Sequence, residues 1–201
     1  MRKLVFFLLG QKGHEVLNAA IAGKHKSMVD LVVIGADPNV QNDFFNEIIE
    51  LCKGNHIAYC VRTDFPTCLK KTENHIAIAA GWRWLIKEVF FQIIVLHDSL
   101  LPKYRGFNPL VTALLNRDEE AGVTAIVANK DFDCGDVIQR KSIKITYPVK
   151  IQDVITRFGN LYFDLAQSIF DKIAHKGLLL GEPQDEAKAS YSVWRDEEDY
   201  R

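Results

Sequence analysis

The sequence predicts an α/β domain built on a doubly wound, mostly parallel sheet. Short, wholly apolar runs alternate with longer amphipathic segments along most of the chain. The apolar runs lack polar alternation, the mark of strands covered on both faces. A composition of 48% hydrophobic and 25% charged residues over 201 positions is enough for one sizeable core without disulfides or a structural metal.

Residues 4–9 form the first predicted strand, and Gly10-Gln-Lys-Gly13 turns the chain into a helix over 14–22. The Met-Arg-Lys start followed by this run looks superficially like a leader, but the run is too short and lacks a small-residue cleavage site. Residues 31–34 form a second strand closed by Gly35, and Asp43 is an N-cap candidate for a helix over 44–52. Further strands are predicted at 57–61, 76–80 and 93–96. After Pro102 the pattern changes to a loop rich in Pro, Gly and charge at 101–108, then a helix over 109–115 opening on Pro109. Two strands at 123–128 and 137–145 flank a compact turn. A long helix over 153–175 carries an apolar stripe through Val154, Phe158, Leu161, Leu165 and Ile169. The expected division is one domain over 1–181 and a polar C-terminal extension over 182–201.

Twenty-five basic against 26 acidic residues give a net charge of -1, which does not describe a nucleic-acid binder. No run approaches the ~20 apolar residues of a membrane span. Cys52, Cys60, Cys68 and Cys134 form no C-x-x-C pair and have no zinc-ligand spacing, so free, mostly buried thiols in a cytoplasmic protein are expected. Phe90, Phe91, Tyr191 and Trp194 are candidates for a homodimer interface.

In open parallel sheets ligands bind at the carboxyl ends of the strands. That rule ranks the six histidines. His14, His25 and His175 fall on predicted helix surfaces, and His56 and His75 precede strands at the wrong end. His97 directly follows Ile93-Ile94-Val95-Leu96 and opens the loop that follows, as either a catalytic or a hydrogen-bonded structural histidine. The second candidate is Asp131-Phe-Asp133-Cys-Gly-Asp136, either a plain turn or a cation-binding one. A carboxylate beside a histidine stabilises the imidazolium and suits proton transfer during attack on a carbonyl carbon.

The stretch His97-Asp-Ser-Leu-Leu-Pro-Lys-Tyr-Arg-Gly106 resembles the signature loop of the folate-dependent formyltransferases, H-x-S-L-L-P-x-[YWF]-R-G. The continuation from Asn108 to Thr124 is similar, and Asp131–Asp136 resembles the family's L-D-x-G-[DP] turn at the expected distance. The resemblance is strong over residues 76–145 and implies a Rossmann-like formyltransferase fold. It also implies transfer of a formyl group from N10-formyltetrahydrofolate to a primary amine, with His97 and Asp133 as the catalytic pair. By the same resemblance Gly81, Trp82, Arg83, Trp84, Leu85, Ser99, Leu100, Leu101 and Asp131 would hold the folate. Lys103, Tyr104, Arg105, Gly106 and Asn108 would hold the acceptor.

Gly81-Trp-Arg-Trp-Leu85, and Trp194 with the acidic run Arg195-Asp-Glu-Glu-Asp199, are similar to the branch that formylates amino sugars on nucleotide carriers. The expected acceptor is therefore a sugar nucleotide. A glycinamide ribonucleotide-type activity is the alternative, although Gly10-Gln-Lys-Gly13 is a weak match to that branch's phosphate loop. Initiator-tRNA formylation in the resembling family uses a basic C-terminal domain, which this chain with its acidic end is expected to lack. One departure stands out. The family reads N-x-H, and this chain has Val95 in place of the asparagine that donates to the formyl oxygen. Losing one such donor costs about 10²–10³ in rate. Another donor such as a backbone N–H or Asn108 takes its place, the enzyme is slower, or the chain is a catalytically impaired folate-binding relative.

Overall fold

A computed structural model describes residues 2–40, 42–69 and 72–194. In chain order these form β1 (Lys3–Leu8), α1 (Gly10–Ala22), β2 (Val29–Ile34), α2 (Phe45–Gly54), β3 (Tyr59–Val61), α3 (Phe65–Cys68), β4 (His75–Ala80) and β5 (Gln92–His97). There follow β6 (Arg105–Gly106), α4 (Pro109–Leu115), β7 (Glu120–Val127), β8 (Asp136–Lys144), α5 (Ile151–Lys176) and β9 (Tyr191–Ser192).

Among the described residues the main sheet has seven strands in the order β3-β2-β1-β4-β5-β7-β8. The first five run parallel, and β7 and β8 are antiparallel to their neighbours. Strand order reverses at β1 and β4, whose carboxyl ends open the crevice expected of a doubly wound sheet. The expected mostly parallel sheet is therefore present.

Alternation along the strands sorts the core into two layers. Leu4, Phe6, Leu8, Ile76, Ile78, Ala80, Ile94 and Leu96 pack under α1 and α5, with Ile48 and Cys52 of α2 in the same cluster. The α5 stripe contributes Val154, Phe158, Leu161, Leu165, Phe170 and Ile173. The opposite face, with Val5, Phe7, Val33, Ala77 and Ala79, is covered differently. Phe65 of the short α3 and the side chains of Trp82, Ile86 and Phe90 lie over it. Phe7 meets Phe65, Trp82 and Phe90 edge-on at centroid distances of 5.1, 5.2 and 5.7 Å. No helix among the described residues is long and apolar enough to cross a membrane.

Several local expectations are corrected. The Gly10–Gly13 turn is itself the first turn of α1, which starts four residues earlier than predicted. Gly13 fits there because an added Cβ would lie 2.8 Å from the Cβ of Leu8. Asp43 does not occupy the cap position of α2. Phe44 does, at φ +56°, while Asp43 accepts the Phe45 N–H at 3.1 Å and the Asp37 N–H at 2.9 Å. His25 is not on a solvated helix surface. It is buried beside Phe170 and bonds Asp171 at 3.0 Å, because α1 has ended and the chain is crossing beneath α5. The cysteines are free, and Cys68 is exposed.

The 182–194 segment packs along the body. Glu182 bridges to Val137 of β8, and β9 pairs in parallel with β6.

Gly81 sits at φ +65°, and an added Cβ would lie 2.3 Å from the carbonyl oxygen of Leu9. Gly81→Ala is expected to lower the unfolding free energy by about 2–3 kcal/mol, read by urea denaturation.

Candidate active site

His97 is the last residue of β5, paired across to Thr124 of β7. By alternation its side chain shares a face with Ile93 and Val95. The ring is 8% exposed, and Nε2 lies 2.9 Å from the carbonyl oxygen of Tyr104. A carbonyl only accepts, so Nε2 carries the proton. Nδ1 faces Asp133 Oδ1 at 3.4 Å, an ion-pair separation. Nδ1 is therefore the ring atom whose lone pair can take a proton, with a carboxylate beside it to stabilise the imidazolium.

Asp133 reaches this position through a turn that departs far from it. The turn leaves β7 where the Ala128 N–H bonds the Ile93 carbonyl, then returns toward the carboxyl end of β5. Asp133 adopts φ +55°, and its Oδ2 accepts the Gly106 N–H at 2.9 Å. Gly135 closes the turn against Val127, whose carbonyl oxygen would lie 1.8 Å from an added Cβ. Asn129 braces the inside by accepting the Asp131 N–H and donating to the Cys134 carbonyl. Asp131 and Asp136 are exposed. No group of three or more His, Cys, Asp or Glu side chains among the described residues is placed to hold a metal.

The loop after His97 is fastened to the sheet by its own polar atoms. Ser99 Oγ donates to the Lys103 carbonyl at 2.6 Å. Thr124 Oγ1 donates to the Ser99 carbonyl and accepts the Leu101 N–H. Leu101 is buried with Ile126 and Val137, and Val95 packs against that cluster. Leu100 lies over Gly122. Tyr104 turns its hydroxyl to Asp118 and Asn116, and Lys103 Nζ lies 3.9 Å from Asp118. The Asn108 carbonyl accepts from Thr112 at the start of α4. Arg105 is turned inward at 1% exposure. Its guanidinium bonds Gln184 Oε1, both Glu186 carboxylate oxygens and the Tyr191 hydroxyl. That set uses all five of its N–H groups. The Arg105 side chain thus forms a clasp on the C-terminal segment.

At the neighbouring strand ends, Gly81 starts the turn that carries the two tryptophans. The Trp82 and Trp84 rings meet edge-on at 5.0 Å, and Trp84 lies over Gly35 with the Arg62 guanidinium 4.4 Å from its ring. Arg83 pairs with buried Asp37 at 2.5 Å, while Leu85 is exposed. The Trp82 indole N–H is buried with no hydrogen-bond partner among the described residues. Trp194 stands 5.6 Å from Phe107 and 5.7 Å from the Arg83 guanidinium, linking this turn to the signature loop. The acidic run Arg195-Asp-Glu-Glu-Asp199 lies outside the described residues.

Sequence reasoning did not single out Asp98 and Tyr162. Asp98, half-buried and next to His97 in the chain, is ion-paired to Lys12 Nζ and accepts from the Tyr162 hydroxyl. Burial raises its carboxyl, but the Lys12 ammonium and the Tyr162 hydroxyl outweigh that and hold it below the ordinary carboxylate range. Burial and the Asp98 charge push the Tyr162 phenol well up, so it stays a donor. The available signal was Tyr162 itself, since a tyrosine on the core stripe of a helix needs a partner for its hydroxyl.

The sequence matches the formyl transferase family over residues 2–161. Among curated relatives it is 33% identical over 136 residues to the methionyl-tRNA formyltransferase of Halothermothrix orenii. It is 29% identical over 134 residues to that of Caldanaerobacter subterraneus. The chain spans 43% of the length of each. The fold is similar to the N-formyltransferase from Helicobacter canadensis in complex with folinic acid and dTDP-3-aminofucose. That similarity has a TM-score of 0.77 at 21% identity, covering 96% of this chain and 71% of that one. It is also similar to phosphoribosylglycinamide formyltransferase from Bacillus halodurans, with a TM-score of 0.68 at 17% identity over 88% of this chain and 97% of that one.

The Lys12–Asp98 pair sets a pH dependence. A depressed carboxyl contributes stability above its unfolded value, near 3.8, and loses it as pH falls through the folded one. Lys12→Met is expected to cost about 1–3 kcal/mol at pH 7, less than for a fully buried pair because Lys12 is partly exposed. The gap to the parent protein should close below about pH 4 in thermal unfolding across a pH series.

Proposed function

The chain belongs to the formyl transferase family, and from that premise we propose that it transfers the formyl group of N10-formyltetrahydrofolate to the primary amine of a nucleotide-linked amino sugar. The observation that carries the reaction is the His97–Asp133 pair, with Nδ1 as its one ring atom open to a proton. When bound, the folate supplies the formyl carbon. His97 takes the amine proton as the new carbon–nitrogen bond forms, and Asp133 stabilises the imidazolium. His97 then returns the proton to the departing N10 nitrogen. The unpartnered Trp82 indole N–H beside an aromatic pair fits a heteroaromatic ring bearing acceptors.

The sugar-nucleotide acceptor draws on the Trp82-Arg83-Trp84 turn, with Trp194 and Phe107 packed beside Arg83. It draws also on the Helicobacter canadensis relative, whose structure includes dTDP-3-aminofucose. Lys12 is engaged by Asp98, which weighs against a phosphate at the Gly10–Gly13 turn and so against glycinamide ribonucleotide. One observation favours a second reading, a folate-binding relative without turnover. Val95, on the His97 face of β5, has no donor for the attacked oxygen and packs into an apolar cluster.

The test is formyl transfer from N10-formyltetrahydrofolate to a panel of amino-sugar nucleotides, with glycinamide ribonucleotide, methionyl-tRNA and a no-acceptor control. Product is read as a mass gain of one CO. Formylation of one sugar nucleotide is expected, with His97→Ala lowering kcat by about 10²–10⁴-fold. Folate binding without product on any amine would establish the second reading instead. Val95→Asn is expected to raise kcat by about tenfold or more, measured at saturating folate.

A further inference from the structure

Gln184 lies beyond the stretch of chain that matches the family, which ends at residue 161. Its carboxamide is nonetheless tied to both halves of the site. Nε2 donates to the carbonyls of Asp133 and Gly135, each at 2.8 Å. Oε1 accepts from Arg105 Nε at 3.1 Å and Nη2 at 2.8 Å. One side chain thus joins the loop that supplies the Tyr104 carbonyl to the turn that supplies the Asp133 carboxylate. His97 touches both, through Nε2 and Nδ1 respectively.

The surrounding contacts fix the loop side of this bridge. The Ser190 carbonyl accepts the Arg105 N–H at 2.9 Å, and the Ser192 carbonyl accepts the Phe107 N–H at 3.1 Å. Ser190 Oγ accepts the Tyr104 N–H at 3.0 Å. On the turn side, Asp133 sits in left-handed backbone at φ +55°. Such a conformation persists only where neighbours over-determine it. The Gly106 N–H secures the Asp133 carboxylate, and Gln184 secures its backbone.

We propose that Gln184 is a positioning residue: by bonding the Asp133–Gly135 backbone and Arg105 together, it sets the separation of the Tyr104 carbonyl and the Asp133 carboxylate, and so the orientation of the His97 ring. The proposal rests on the reading of His97 and Asp133 as the proton-transfer pair, so its test includes a readout independent of turnover. Misplacement of a reacting group by about 1 Å costs on the order of 10² in rate.

In ¹⁵N-histidine-labelled protein, the His97 ring signals are assigned by their loss in His97→Gln. The parent protein is expected to show the Nε2-protonated tautomer with a slowly exchanging ring N–H. In Gln184→Met that N–H should exchange about tenfold faster or more, and kcat should fall about tenfold or more. KM for the formyl-folate should stay within about twofold. Gln184→Asn keeps the amide but shortens its reach, and should give the same signature if the methionine variant fails to fold. Glu186→Gln loosens the Arg105 ion pair without touching the two bonds to the turn, and should move the His97 signals less than Gln184→Met does. The proposal is overturned if folded Gln184 variants keep the parental His97 signals, or if Glu186→Gln moves them as much as Gln184→Met. Absence of transfer by the parent protein to any amine, with the His97 response intact, would count against the function and not against the positioning role.

Discussion

A guanidinium with 1% exposure cannot be left without acceptors, and Arg105 is in that state. Without them its charge would be stranded away from water. The signature loop itself supplies none of the acceptors. All of them, Gln184, Glu186 and Tyr191, come from the polar segment after α5. That requirement folds the segment back over the loop and lets Tyr191–Ser192 pair with Arg105–Gly106. The ordered loop in turn presents the Tyr104 carbonyl to His97 and the Gly106 N–H to Asp133. The buried cation thus organises the elements on both sides of His97.

The sheet was legible because its strands carry their information locally. Wholly apolar runs such as residues 4–8 and 76–80 have one reading, a strand covered on both faces, and they fall in β1 and β4. The cover on the second face was less legible. It is supplied by Trp82, Ile86 and Phe90 in a segment with no helical period. The start of α1 was missed for a related reason. Two glycines read as a turn, yet Gly13 is required for the helix to approach Leu8. His25 finds its hydrogen-bond partner in Asp171, 146 residues away, and no local pattern encodes such a partner.

The site divides along the same line. His97 and Asp133 were identified by a spaced motif, and their side chains stand 3.4 Å apart. Arg105 belongs to that motif too, but motif membership does not say which way a side chain points. The C-terminal segment looked like a polar extension because its function is to supply hydrogen-bond acceptors and donors, which leaves a composition much like that of solvated chain. Gln184 acts on Asp133 and Arg105 across separations of 51 and 79 residues, with no periodicity to mark it.

Two carboxylates lie close to His97, and the protein gives them different tasks. Asp98 follows it in sequence, half-buried, with its charge met by Lys12 and one oxygen bound by the Tyr162 hydroxyl. Asp133 receives a single backbone N–H on Oδ2 and keeps Oδ1 toward the imidazole. The two carboxylates thus have separate partners, Lys12 and Tyr162 for Asp98 and the imidazole for Asp133. Lys12 and Tyr162 reach Asp98 from α1 and α5. Asp133 is left as the carboxylate that faces His97 Nδ1. Lys12, within the weak match to a phosphate loop, is therefore part of the electrostatics of the carboxylate next to His97. This explains how the site keeps its charge balance while the Gly10–Gly13 turn serves as the opening of a helix.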